Sequence, residues 1–342
     1  TQGTKVKEFE KQWGDFHGTG PAIAVTNGTA AIELVVHALK FGPGDEIILP
    51  SFAIISCVSQ ILRAGATPIF VDSTPNTWNM DVATVESLIT PRTKAIMAVH
   101  TYGLPVDMTP LIALAEKFSI PIIEDAAESH GLIYNDQPCG SFGLVSTFSF
   151  YANKHITTGE GGMVVTNNDE LAASIRKYRN LAFQPQRRFV HEELGWNLRM
   201  SSLQCALGSS QLRRLQVILK SRRKLGERYQ TAFADLVDVQ LPVQKLPYAQ
   251  NDYWVFGMVL QGTRTGQSEI IQDLLAKEGV GSRPFFWPLH EQPVLAKFGL
   301  GNQPSLPISE NLGRSGFYIP NGLGMPEEDI KWVIEKVRKV LS

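Results

Sequence analysis

Cysteine is scarce in this chain. Three residues, Cys57, Cys139 and Cys205, stand far apart among 342. They form neither a disulfide framework nor the close spacing of a metal site, and they suit a reducing compartment. No metal is expected. Unbroken apolar runs of about 18 residues are also missing, which excludes a membrane-spanning helix. The first residues, TQGTKVKEFE, lack the charged-then-apolar pattern of a signal segment. A cytoplasmic address is the expectation. Charge of one sign is lacking too. Lys and Arg total 32 against 33 Asp and Glu, a net charge of -1. No electrostatic footprint argues for nucleic acid or an anionic membrane. Internal repeats and low-complexity stretches are absent.

What is present is an ordinary globular balance, 43% hydrophobic and 19% charged. The length suffices for one large domain and one smaller one. Between residues 20 and 182, short apolar runs alternate with helical patterns. AIAV (22–25) precedes a helix over about Thr29 to Leu39, and EIILP (46–50) precedes one over about Ala53 to Arg63. TPIFVD (67–72), AIMAVH (95–100) and IPIIED (120–125) continue the series. The runs are unbroken and bounded by Gly, Pro or Asp, as strands buried on both faces should be. Such alternation predicts a mainly parallel sheet with helices on both sides, and ligands beyond the carboxyl ends of its strands. From Met200 to Leu236 no proline interrupts one long helical pattern, with Leu203, Leu207, Leu215, Ile218, Leu225 and Tyr229 near helical spacing. Its cations Arg213, Arg214, Arg222, Arg223 and Lys224 read as a solvated face. A smaller unit follows, with a strand at 253–260, a helix in SEIIQDLLAKEG, the loop RPFFWPLHEQP and a closing helix.

Three features fall at strand ends. Asn27-Gly28-Thr29-Ala30 is a tight turn opening a helix, where exposed N–H groups and the helix dipole suit a phosphate, although Thr29 reads equally as a simple N-cap. Asp125 closes the apolar strand IPIIED, a costly place for an acid unless it meets a cation or donor. Lys154 interrupts FSFYANKHITTGEGGMVV between two apolar runs. Either its stem is packed and its ammonium reaches water, or something uses the amine. Ser149 and Lys154 can share a site only if the strand ends before the lysine. Pyridoxal phosphate would link all three. It needs a phosphate cradle, a carboxylate to keep its ring nitrogen protonated, and a lysine for a Schiff base.

The runs NGTAAIELVVHAL, FGPGDEIILPS, GATPIFVD, ITPRTKAIMAVHTYG, IEDAAESHG, GSFG, FSFYANKHITTGEGGMVVTN and GWNLRMSSLQCALG appear in that order and cover nearly the whole chain. Together they resemble the DegT family of sugar aminotransferases. The resemblance implies an aspartate aminotransferase-like α/β fold (PLP fold type I). It has a mainly parallel central sheet with helices on both faces and a smaller C-terminal α/β domain. The expected division is a large cofactor-binding domain over 1–225 and a small domain over 226–342. It further implies Lys154 as the lysine that carries pyridoxal 5'-phosphate, with a pyridoxamine form during the cycle. Asp125 would pair with the ring nitrogen, and Glu128, where many relatives carry Gln, would approach the ring's 3-hydroxyl. Gly28, Thr29 and Ser149 would hold the phosphate, joined by Asn197 from the second subunit of a homodimer with shared sites. His290 and Arg283 would contact the sugar nucleotide.

TWNMDV, FVHEELGWNLRM and SRPFFWPLHEQPV resemble the branch that aminates GDP-4-keto-6-deoxymannose at carbon 4, with glutamate as amine donor. UDP- and dTDP-linked keto sugars are the alternatives. Two departures stand out. Ile54 occupies a place where many relatives have an aromatic residue over the cofactor ring, and TQGTKVKEFE matches a point some way into a typical member. Two rival readings follow from the same fold. A pyridoxamine-dependent 3-dehydratase has histidine at the lysine position, which Lys154 contradicts. A non-catalytic regulator would append a DNA-binding module, and the sequence carries no basic helix-turn-helix extension.

Overall fold

The computed structural model describes residues 3–184 and 186–342. Helix α1 (Thr4–His17) is followed by the expected alternation: β1 (Ala22–Val25), α2 (Gly28–Ala38), β2 (Glu46–Pro50), α3 (Ile55–Arg63), β3 (Thr67–Val71), the short α4 (Val82–Val85), β4 (Thr93–Val99), α5 (Met108–Phe118) and β5 (Ile122–Asp125). A small hairpin, β6 (Ile133–Tyr134) with β7 (Gln137–Pro138), leads to β8 (Val145–Ser149), β9 (Gly162–Thr166) and α6 (Asp169–Arg179). The main sheet has seven strands in the order β1-β9-β8-β5-β4-β2-β3. Only β9 runs against the others, pairing antiparallel with both β1 and β8.

Burial explains the layering. Along β2, Ile47 and Leu49 face a cluster built on α2, α3 and α6, whereas Ile48 faces the opposite cluster with α5. Successive strand residues point to opposite faces, so both faces must be covered, and they are. At the other end of the sheet, Ala24, Phe148 and Met163 pack on α1 and the following helices. The reversal of β9 has a local cause. No crossover helix separates β8 from β9, so the loop 150–161 returns the chain as an antiparallel partner. That loop carries Lys154.

The long helix expected over Met200 to Leu236 is two helices, α7 (Ser202–Leu212) and α8 (Leu215–Phe233). Ser201 caps α7 with a capping box to Gln204. The break at Arg213-Arg214 lets each helix serve a different neighbour. α7 lies along α1, whereas α8 starts in the large-sheet core through Leu215 and Leu219 and ends in a second core through Leu225, Tyr229 and Phe233. The expected division after residue 225 falls inside α8. Leu203, read above as part of an apolar face, is 83% exposed. The cation run also differs from expectation. Arg213, Arg214 and Lys224 are exposed, but Arg222 is buried and Arg223 pairs with the buried Asp252 at 2.6 Å.

Beyond α8, β10 (Val239–Gln240), the hairpin β11 (Lys245–Leu246) with β12 (Ala249–Gln250), β13 (Phe256–Leu260), α9 (Ser268–Lys277), β14 (Arg283–Pro284), α10 (Pro307–Ser315), β15 (Gly316–Ile319) and α11 (Glu327–Leu341) complete the chain. Strands β10-β13-β15-β14 form an antiparallel sheet. Residues of α8, α9 and α11 pack on it. The expected α/β character and mainly parallel main sheet are both present.

Candidate active site

Strand β1 delivers the chain to a turn whose Asn27 side chain accepts the Ala30 N–H at 2.8 Å, so Asn27, not Thr29, is the cap of α2. The first N–H groups of α2 have no partner within the helix and carry its positive pole. A Cβ on Gly28 would lie 2.8 Å from the Cβ of Ser149. Only glycine lets α2 start this close to the end of β8. Thr29 Oγ1 lies 2.8 Å from Ser56 Oγ, in the first turn of α3. Two helix starts and the hydroxyls of Thr29, Ser56 and Ser149 therefore converge, a donor set suited to a phosphate.

Asp125 closes β5 at 3% exposure. Its Oδ1 accepts the Ala127 N–H at 3.1 Å, and its Oδ2 accepts the thiol of Cys57 at 3.2 Å. The preceding acid, Glu124, turns to the other face and accepts from the N–H groups of Gly140, Phe142 and Gly143 and from the buried His100. Strand alternation thus presents one carboxylate, Asp125, to the cavity beyond the strand ends. That cavity is about 430 Å3 and is lined by Gly28, Thr29, Ser56, Asp125, Ser149 and Lys154, among others.

Strand β8 ends at Ser149, before the lysine, as sharing a site requires. Lys154 Nζ stands 3.5 Å from Glu128 Oε1 and 3.8 Å from the ring centroid of Trp254. Trp254 donates its indole N–H to the carbonyl of Asn153 at 2.9 Å, fixing the ring beside the residue before the lysine. Glu128 Oε2 accepts the Tyr102 N–H at 2.9 Å. Burial pushes Glu128 up to about 7, with Lys154 opposing the rise. Burial also holds Lys154 below the ordinary lysine range, with Glu128 and Asp125 pulling it back. A desolvated amine whose pKa falls is the kind that attacks carbonyl carbon.

The remaining candidates lie elsewhere. Arg283 lines a second, larger cleft that shares Lys154 with the first cavity. His290 is 7% exposed, with Nδ1 2.6 Å from Ser51 Oγ and Nε2 3.3 Å from Glu310 Oε1, and it lines neither cavity. Asn197 is exposed on the segment bridged to Asn180, off the cofactor cavity of its own chain. Ile54 lines the cofactor cavity, and its aromatic wall comes instead from Tyr151, Trp254, Phe286 and Tyr318. Sequence reasoning missed Ser56, Cys57 and Trp254. The serine at the opening of a strand-following helix was the available signal for Ser56; nothing local marked the other two.

A phosphate cradle, one carboxylate at a strand end and a desolvated lysine, all opening on one cavity, fit pyridoxal phosphate. They define the class of pyridoxal-phosphate-dependent transferases. Residues 1–338 match the DegT/DnrJ/EryC1/StrS aminotransferase family, and the chain belongs to it. It is accordingly an aminotransferase with pyridoxal phosphate as cofactor. It is 40% identical over 340 residues to GDP-perosamine synthase of Caulobacter vibrioides, covering 99% of this chain and 91% of that protein. It is 33% identical to the UDP-N-acetyl-3-dehydro-alpha-D-glucosamine 3-aminotransferase of Acidithiobacillus ferrooxidans, covering 99% and 89%. The crystal structure of S. venezuelae DesV in complex with a ketimine intermediate superposes with a TM-score of 0.90 at 32% identity, covering 98% of this chain and 89% of that one. Among the described residues, no helix is long and apolar enough to cross a membrane.

Proposed function

We propose that this aminotransferase moves an amine from glutamate to GDP-4-keto-6-deoxymannose, yielding GDP-perosamine, as a cytoplasmic homodimer with shared active sites. The observation that carries the catalytic part is Lys154: an amine held by Glu128 and Trp254 at the mouth of the cavity that Asp125 and the α2 cradle also enter. Bound pyridoxal phosphate supplies an electron sink that lets an amine leave one carbon and join another. The chain's own groups do the rest. Gly28, Thr29, Ser56 and Ser149 would hold the phosphate. Asp125, fixed by Cys57 and Ala127, would keep a positive charge on the ring nitrogen. Glu128 would stand by the ring's 3-hydroxyl, and Lys154 would carry the cofactor and move the proton at the substrate carbon.

Support for the sugar comes from the likeness to the Caulobacter protein, stronger than that to the Acidithiobacillus one. Support for the dimer comes from the segment carrying Asn197. Phe189, Leu194 and Leu203 are 80%, 88% and 83% exposed, large apolar side chains that a second subunit would cover. In that dimer Asn197 would reach the partner's phosphate cradle, and His290 and Arg283 would serve the sugar nucleotide. The test is a screen of GDP-, UDP- and dTDP-linked 4-keto sugars with glutamate, following amino-sugar product by mass. Product from the GDP-linked sugar alone is expected. A preference for another nucleotide would refute the assignment.

A further inference from the structure

The cleft of about 970 Å3 between the two sheets is larger than the cofactor cavity and shares Asn153, Lys154, Trp254 and Tyr318 with it. Its charged lining is one-sided: Lys154, Arg214, Arg222 and Arg283, with no acid. The chain as a whole carries 32 cations and 33 anions, so this bias is local. Arg222 is the informative member. It is 8% exposed, it lines the cleft, and its Nε has no partner. Among the described residues no hydrogen bond or ion pair reaches Arg222, whereas its neighbour Arg223 takes Asp252. Burial alone pulls Arg222 down to about 10, with no acid opposing the fall, and it stays charged at neutral pH. Two more buried atoms on the same wall, His155 Nε2 and Asn321 Oδ1, are also without partners. A buried cation without a counter-ion costs several kcal/mol of stability, which a bound anion would offset.

From this lining the geometry points to an oxyanion seat, with Arg222 at its base and Arg214 and Arg283 at its rim, that receives the diphosphate of the nucleotide-linked substrate. The inference rests on the nucleotide-sugar reading above and adds the residues that would hold the phosphates. A ligand seated here has its sugar end at Lys154, because the lysine belongs to both cavities. Two directly linked phosphates present their oxygens to three guanidinium groups as one compact group, whereas the two carboxylates of glutamate stand apart. The cleft is also of a size for a drug-sized ligand, far beyond an amino acid.

Calorimetric titration of the cofactor-loaded protein with inorganic pyrophosphate, which has no sugar and no amine to transfer, isolates this seat. Saturable, salt-sensitive binding is expected. It should weaken by about ten- to a hundredfold in Arg222→Gln and be largely kept in Arg222→Lys. Should Arg222→Gln fail to fold by circular dichroism, the Arg214→Gln/Arg283→Gln double variant takes its place with the same expected direction. Absence of binding to the wild type would overturn the inference, as it would if a partner subunit's acid already occupied Arg222. Equal affinity in wild type and the neutral variants would overturn it as well. So would displacement of pyrophosphate by an equal concentration of glutamate, which would make this a carboxylate seat. Failure of every keto sugar to yield product would count against the proposed substrate and leave the pyrophosphate result standing.

Discussion

The two cavities that meet at Lys154 differ in how their charges are satisfied. In the smaller one both buried carboxylates have their donors: Asp125 has Cys57 and Ala127, and Glu128 has Tyr102 and Lys154. In the larger one, the buried Arg222 has none among the described residues. The difference teaches where one folded chain completes its own chemistry and where it leaves room. In the cofactor cavity the polar groups are paired at strand ends and helix starts of the main sheet, and the smaller unit adds Trp254, Phe286 and Tyr318 as an aromatic wall. The cleft is a set of cations set apart from acids, and their charge is balanced only by something brought to it.

The strongest way to break the comparison is to remove the lysine common to both cavities. Lys154→Ala should lower transamination by about a thousandfold or more, since no other amine lines the cofactor cavity. It should also lose the visible absorbance of lysine-bound cofactor. Turnover near wild-type rate would show that the smaller cavity is not the reaction centre. Asp125→Asn should reduce kcat by about a hundredfold with the fold intact by circular dichroism, because an amide cannot stabilise the ring charge as a carboxylate does. Unchanged kcat would make Asp125 a structural acid.

Gly28→Ala tests whether the cradle is as closely fitted as the 2.8 Å approach to Ser149 implies. The added methyl should weaken cofactor affinity by about tenfold and destabilise the protein by about 1–3 kcal/mol, read by equilibrium dialysis and urea unfolding. Retained affinity would mean that Ser149 moves aside freely. Mixed dimers sharpen the contrast between what one chain supplies and what it lacks. A Lys154→Ala chain paired with an Asn197→Ala chain should regain one intact site of two, where each parent dimer is impaired. No recovery above the parents would remove Asn197 from the partner's site.

The smallest effect concerns Glu128, the carboxyl held up at about 7. A carboxyl whose folded pKa is raised contributes stability that is fully present below its ordinary value and is lost as pH rises through the folded value. The wild type should therefore lose melting temperature between pH 5 and pH 8 more steeply than Glu128→Gln, by about a few degrees. Parallel melting profiles for the two proteins would show that Lys154 fully compensates the buried charge.

Much of the cofactor cavity was legible in the sequence, because its parts are local. Asn27-Gly28-Thr29 and IPIIED each announce a strand end by composition, and Lys154 announces itself by interrupting an apolar run. Ser56, Cys57 and Trp254 were not legible. Ser56 meets Thr29 and Cys57 meets Asp125 across different βα units, and Trp254 reaches Asn153 from the bend that leads into β13, a separation of 101 residues. No periodicity encodes such meetings. The same limit explains the misreading of Arg222. Ser221 and Lys224 near it on α8 are exposed, and Arg222 lines the cleft with residues 281–284 and 318–323, which lie far along the chain. The broken helix over 200–236 was hidden for another reason. Its two halves have apolar faces aimed at different cores, and a sequence without Pro or Gly at residues 213 and 214 gives no sign of the turn between them.

Helix α8 has a mechanical meaning that its packing alone does not express. It runs unbroken from Leu215 to Phe233, with its first turns embedded in one core and its last turns in the other. It is a beam fixed at both ends. Swinging the small sheet away from the large one would bend this helix or tear one end from its core, and a continuous hydrogen-bonded helix resists both. The cleft that α8 borders is therefore held open at nearly constant width, and a ligand entering it spends little of its binding free energy on moving the walls.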